Sequence, residues 1–168
     1  MGRPYRVLFL CTGNSARSIL AEALLGRLGK DRFESYSAGS MPRGEVNPYA
    51  LTLLAKMGYD PGLYRSKPWD EFARATNPGA PDLDLVITVC DNAAGEVCPL
   101  WPGGPMTAHW GLPDPAALEG PEDAIHAAFL ETYNQLSDRI GRLVDLPIVT
   151  LDQAALRTRI TQIGAGTP

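Results

Sequence analysis

A small doubly wound α/β domain built on a mostly parallel sheet is the fold class this sequence predicts. Three observations predict it. Short apolar runs alternate with segments of helical period along the chain, which is the pattern of βαβ units. The strongest runs, Tyr5–Leu10 and Leu83–Val89, are nearly continuous in apolarity rather than alternating, as strands buried on both faces are. Each of these runs is followed by a cysteine, Cys11 or Cys90, at the strand ends where open α/β sheets bind their ligands.

Taken in order, Tyr5–Leu10 is the first strand and leads into Cys11-Thr12-Gly13-Asn14-Ser15. From Ala16 the period changes: Ile19, Leu20, Ala23, Leu24 and Leu28 recur at helical spacing, and Gly29 supplies a stop. Glu34–Ala38 reads as a second strand closed by Gly39, and Pro48–Met57 as a second helix closed by Gly58. The stretch from Pro61 to Asp82 is rich in proline, glycine and charge, and predicts loop with one short helix around Trp69–Arg74. Leu83–Val89, with Asp84 early in it, is the third strand. Met106–Trp110 is a weaker fourth, followed by Gly111-Leu112-Pro113-Asp114-Pro115. A long helix fills Pro121–Val144, with Pro121 near its first turn, and a last short one Gln153–Ile163. No repeat, low-complexity tract or linker divides the chain, so a single domain over residues 1–168 is expected.

Composition narrows the function classes. A length of 168 residues suffices for a proper core, and 45% hydrophobic with 20% charged residues argues against wholesale disorder. The net charge of −4 gives no bulk electrostatic reason to bind nucleic acid or an anionic membrane. No apolar run reaches membrane-spanning length, and the start of the chain lacks a secretory h-region. A cytoplasmic monomer is expected. An acidic protein that binds an oxyanion needs a local device to do it.

Cys11-Thr12-Gly13-Asn14-Ser15-Ala16-Arg17-Ser18 is such a device. A loop between a strand and a helix start points backbone N–H groups inward, and the helix dipole adds partial positive charge. Gly13 and Asn14 are best able to take left-handed conformations there, and Arg17 offers a planar fork of donors matched to an oxyanion. The same surroundings favour a thiolate at Cys11, and Ser18 is placed to donate a hydrogen bond to it. The plain alternative is a buried strand-end cysteine followed by an ordinary helix cap at Asn14 or Ser15. A loop of this chemistry with both flanking elements in place speaks against that.

Val7-Leu8-Phe9-Leu10 followed by this octapeptide resembles the signature of the low-molecular-weight tyrosine phosphatase fold, which includes phosphatases and a class of arsenate reductases. The resemblance covers nearly the whole chain. It implies a four-stranded parallel sheet with helices on both faces, and an oxyanion held by residues 12–18 and attacked by Cys11. It also implies that Asp114, in its Asp-Pro context, is the general acid that protonates the departing oxygen. Without the resemblance, an aspartate between prolines is an ordinary turn residue. Relatives that are phosphatases usually carry an aromatic residue after that Asp-Pro pair, whereas Ala116-Ala117 follow here. Many relatives also have a cysteine where this chain has Ala16.

The segment from Cys90 to Pro99 places two cysteines, Cys90 and Cys98, after the third strand. It is similar to the redox segment of the arsenate reductase branch, and a phosphatase needs neither cysteine. The implied reaction is reduction of arsenate through a Cys11 adduct and a Cys11/Cys90/Cys98 disulfide cascade. It requires no tightly bound cofactor. The reductant is an external thiol, either thioredoxin or glutathione with glutaredoxin, and phosphate or sulfate compete for the loop. Were residues 90–98 helical, the two cysteines would lie about 12 Å apart at about 1.5 Å per residue, beyond the roughly 7 Å limit for a disulfide. Oxidation is therefore expected to remodel the segment. A phosphatase using Cys11, Arg17 and Asp114 is the alternative, and a non-catalytic oxyanion sensor a more distant one.

Some relatives also bind a monovalent cation, and Asn14, Glu22 and Ser37 sit at matching positions. Such polar residues are more often hydrogen-bonding scaffold, and no metal site is expected. His109 and His126 are too far apart in sequence to suggest one, and neither is assigned a role. Trp101 and Trp110 are expected to cover the site or to pack beneath it.

Overall fold

The computed structural model describes residues 2–91, 101 and 104–165. Its centre is a four-stranded sheet in the order β2-β1-β3-β4, comprising β1 (Tyr5–Cys11), β2 (Phe33–Gly39), β3 (Leu85–Thr88) and β4 (Met106–His109). Every pairing is parallel. The α-helices among the described residues are α1 (Arg17–Leu28), α2 (Pro48–Lys56), α3 (Glu122–Asp145) and α4 (Gln153–Gly164). The fold class is the one expected from the apolar runs.

β1 shows why those runs are continuous. Val7, Leu8, Phe9 and Leu10 are all fully buried, and successive side chains point to opposite faces. Val7 and Phe9 join the larger cluster, with Ile19 and Leu20 of α1, Ile140 of α3 and Ile160 of α4. Leu8 and Leu10 join Ala38, Phe72 and Val86 on the opposite face. There the cover is a short 3-10 turn, Trp69–Phe72, and the ring of Trp101 set edge-on to Trp69 at 6.1 Å. Each large apolar side chain buried this way contributes about 1.5–3 kcal/mol, so β1 is held in register from both sides.

Element ends follow local chemistry. Asn47 caps α2 by accepting from the Tyr49 amide at 2.8 Å, and Asp152 caps α4 through the Ala155 amide at 2.8 Å, each worth about 1 kcal/mol. β3 is shorter than the predicted Leu83–Val89. The Asp84 carboxylate turns aside to accept from the Arg6 amide at 2.8 Å and from the Arg3 guanidinium at 2.6 Å. β1 and β2 each run past their predicted ends, because the ladder continues to the pair Cys11 and Gly39. The short helix predicted at Trp69–Arg74 is the 3-10 turn. Among the described residues no helix is long and apolar enough to cross a membrane.

The topology fixes where a ligand can sit. From β1 the chain passes to β2 on one side and then crosses to β3 on the other. The crevice at such a switch point opens at the carboxyl end of the central strand. That end is Cys11.

Candidate active site

The loop after β1 turns its carbonyls away from its own centre. Those of Cys11, Thr12, Gly13 and Ser15 accept from the amides of Ser40, Met41, Arg43 and Asn47 at 2.9–3.2 Å. Tying these four carbonyls outward keeps their negative ends away from an anion held in the loop. The turn depends on Asn14, whose φ of 45° is left-handed. Gly13 is not left-handed, contrary to the sequence expectation; a β-carbon there would instead crowd the Arg43 side chain. Asn14 bears the conformation because its amide is held on every side. It donates to Ser18 Oγ at 2.8 Å and to Ser37 Oγ at 3.0 Å, and accepts from the Lys67 amide at 2.9 Å.

Cys11 lies at the centre with a free, buried thiol. Its sulfur accepts from the Asn14 backbone N–H at 3.2 Å and lies 3.0 Å from Ser18 Oγ. Ser18 takes a hydrogen from Asn14, so its own hydroxyl hydrogen is available to the sulfur. The helix begins at Arg17, with Ala16 in the cap position and no side chain capping it. The cap expected at Asn14 or Ser15 on the plain reading is therefore absent, and the dipole end of α1 faces the loop.

Asp114 completes the rim. The Asp114 Oδ1 accepts from the Ala116 amide at 3.0 Å, in a short turn over Pro115–Ala117. Its Oδ2 lies 3.8 Å from Arg17 Nη2. Arg17 is only 6% exposed and donates to the Leu112 carbonyl at 2.9 Å, so one guanidinium spans the anion loop and the Asp114 loop. Residues 11–17, Met41, Arg43 and Asp114 line a cavity of about 410 Å³. Cys11, Thr12, Gly13, Asn14, Ser15, Ala16, Arg17 and Asp114 thus converge on one cavity, with Ser18 beside the sulfur.

Cys90 is buried on the neighbouring strand end. The β1–β3 ladder pairs Leu10 with Thr88, so continuing it puts Cys11 level with Val89 and Cys90 just beyond. Cys90 is disulfide-bonded, and because Cys11 is free that bond does not involve Cys11. Cys98 and the remodelling predicted for residues 90–98 lie outside the described residues, save Cys90 and Asp91.

Asn14, Glu22 and Ser37 also converge, yet a monovalent cation does not fit among them. The Lys67 ammonium is already there. It lies 3.6 Å from Glu22 Oε1 and donates to Ser37 Oγ at 3.4 Å and to the Arg65 carbonyl at 3.0 Å. Ser37 in turn donates to Glu22 at 2.5 Å. Burial raises the Glu22 pKa, with Lys67 and Ser37 opposing, and burial lowers that of Lys67, with Glu22 opposing.

Sequence reasoning missed Lys67 and Arg43. Lys67 carries no signal in a loop rich in proline and charge. Arg43, just past the second strand, could have been found as a cation at a strand-end loop. The tryptophans do not cover the site. Trp110 is buried in the core and donates from Nε1 to the Ile160 carbonyl at 3.0 Å, and Trp101 packs on Trp69. His109 caps a strand end, 2.7 Å from Thr88 Oγ1, and His126 packs on Tyr49.

The family model described as low molecular weight phosphotyrosine protein phosphatase matches residues 6–159. The chain belongs to that family. Within the family, an arsenate reductase of Halalkalibacterium halodurans is 36% identical over 134 residues, spanning 80% of this chain and 91% of that protein. The crystal structure of an arsenate reductase from Archaeoglobus fulgidus matches with a TM-score of 0.66 at 27% identity, over 83% of this chain and 99% of that one. A thioredoxin-dependent arsenate reductase of Corynebacterium glutamicum matches with a TM-score of 0.55 at 29% identity, over 80% of this chain and 59% of that one.

Proposed function

We propose that the protein is an arsenate reductase that works through a cascade of thiol exchanges. The observation that carries this reading is the pairing of two unlike cysteines on adjacent strand ends. Cys11 is a free thiol inside an oxyanion loop, and Cys90, beside it across the β1–β3 ladder, is disulfide-bonded. Phosphoryl transfer uses only the first. The names of the relatives at 30% identity or more favour the same chemistry.

Arsenate enters the cavity, where the loop amides and Arg17 hold its oxygens. The Cys11 thiolate attacks arsenic while Asp114 protonates the departing hydroxide, which leaves as water. The thiolate of Cys90 then attacks the Cys11 sulfur. The sulfur–arsenic bond breaks, its electron pair stays on arsenic, and arsenite leaves as a Cys11–Cys90 disulfide forms. Attack by Cys98 on the Cys90 sulfur restores the Cys11 thiolate and moves the disulfide to Cys90–Cys98. A thioredoxin-type dithiol returns that pair to thiols, a coupling favoured by the likeness to a thioredoxin-dependent enzyme; a glutathione and glutaredoxin route would instead resolve the Cys11 adduct from solution. Oxidation remodels residues 90–98 in this scheme, opening the disulfide to its reductant.

The test is arsenite formation from arsenate with thioredoxin, its reductase and NADPH, for wild type and Cys90→Ser. Turnover that vanishes in the variant is expected. Absent arsenite, with hydrolysis of an aryl phosphate indifferent to Cys90, would make the protein a phosphatase.

A further inference from the structure

We propose that Lys67 is a positioning residue for the Cys11 loop, its ammonium serving as a tethered cation that, with Glu22 and Ser37, locks Asn14 and Ser18 against the sulfur. The proposal rests on reading Cys11 as the nucleophile.

The path from ammonium to sulfur is continuous. Lys67 Nζ donates to Ser37 Oγ at 3.4 Å, and Ser37 Oγ accepts from Asn14 Nδ2 at 3.0 Å. The same Nδ2 donates to Ser18 Oγ at 2.8 Å, and Ser18 Oγ lies 3.0 Å from Cys11 Sγ. Glu22 fixes the polarity of this path. Because Ser37 spends its hydrogen on the Glu22 carboxylate, it can only accept from Asn14. Both hydrogens of the Asn14 amide are then committed to Ser37 and Ser18, and the Ser18 hydrogen is directed to the sulfur. Removing the ammonium leaves the carboxylate without its counter-charge, and a protonated Glu22 can donate to Ser37 and undo the order.

Stability does not account for the pair. The Lys67 side chain is 7% exposed and that of Glu22 17%, and burial is the leading cause of the shift in both. Well-packed apolar residues of similar volume often serve as well or better in such a position. Glu22, Ser37 and the Arg65 carbonyl all meet the ammonium with oxygen, the donor type that small monovalent cations accept. A cation fixed to the chain frees the loop from whichever monovalent salt surrounds it.

The test is Cys11 alkylation by iodoacetamide near neutral pH, read by mass spectrometry of the Cys11 peptide, in choline, potassium or ammonium chloride at equal ionic strength. Wild type is expected to react at the same rate in all three. Lys67→Met is expected to react about tenfold more slowly in choline, the worth of one charge-assisted hydrogen bond, and to recover most of that loss in potassium or ammonium. A folded Lys67→Met that reacts like wild type in choline overturns the proposal. So does a loss that no small cation restores, since a packing role would give that result.

The double variant Glu22→Gln with Lys67→Met has no unpaired buried charge and guards against failure to fold. It is expected to stay slow and to ignore the cation; cation recovery in it, or wild-type rates, overturns the proposal. Arsenite formation is followed in parallel. Thiol rates that respond as stated while no arsenite forms would leave the role of Lys67 standing and remove arsenate as the substrate.

Discussion

Ser18 Oγ lies 3.0 Å from Cys11 Sγ while accepting from Asn14 Nδ2 at 2.8 Å, which leaves its one hydrogen available to a thiolate at Cys11. A hydrogen bond to a charged group contributes about 1.5–3 kcal/mol. Ser18→Ala is therefore expected to slow the reaction of Cys11 with iodoacetamide by roughly ten- to a hundredfold, with a matching loss in arsenate turnover. Equal alkylation rates for the two proteins would show that the hydroxyl merely fills space.

Asp114 is held so that its two oxygens have different tasks. The Oδ1 accepts from the Ala116 amide at 3.0 Å, and the Oδ2 faces Arg17 across 3.8 Å at the cavity rim. Asp114→Asn keeps an acceptor for the Ala116 amide and removes only the transferable proton. Single-turnover arsenate reduction is expected to fall by about 10²- to 10⁴-fold, while sulfate still protects Cys11 from alkylation as in wild type. If protection is lost as well, Asp114 acts on binding and not on the leaving group.

The parts of this site that were legible in the sequence are those carried by short-range chemistry. Cys11, Arg17 and Asp114 each follow a strand, and strand ends meet at one edge of a parallel sheet. What was hidden is packing between segments far apart in the chain. Gly39 shows this well: a β-carbon there would clash with the Thr12 carbonyl and crowd Asn14, yet in the sequence it reads as a simple strand stop. Lys67 reaches the loop because its carbonyl accepts from the Gly39 amide at 3.0 Å, extending the sheet edge by one bridge to Pro68. No local period encodes that. The shortened β3 has a similar cause, since the capture of Asp84 by Arg3 and Arg6 joins residues 78 or more positions apart.

The Glu22–Lys67 pair makes a pH-dependent prediction about stability. Burial raises the Glu22 pKa above its ordinary 4.5, and the Lys67 ammonium is the largest force opposing this. A carboxyl whose folded value is raised favours the folded state below its ordinary value, and that contribution is lost as the pH rises through the raised one. Lys67 runs the other way: its lowered value favours folding above the ordinary 10.5 and loses that contribution as the pH falls through the lowered value. Where both groups are charged, each depends on the other. In Lys67→Met the opposing charge is gone, so the Glu22 pKa rises further and an unpaired carboxylate must be buried once the pH exceeds it. Breaking a buried pair from one side costs about 3–5 kcal/mol. Urea unfolding is expected to show that deficit in mildly alkaline solution and to show it shrinking in mild acid, where Glu22 takes up a proton. Glu22→Gln placed on the Lys67→Met background is expected to remove most of the alkaline deficit. A deficit that is the same in acid and alkali, and that Glu22→Gln does not relieve, would mean the lysine stem, and not its charge, is what the fold depends on.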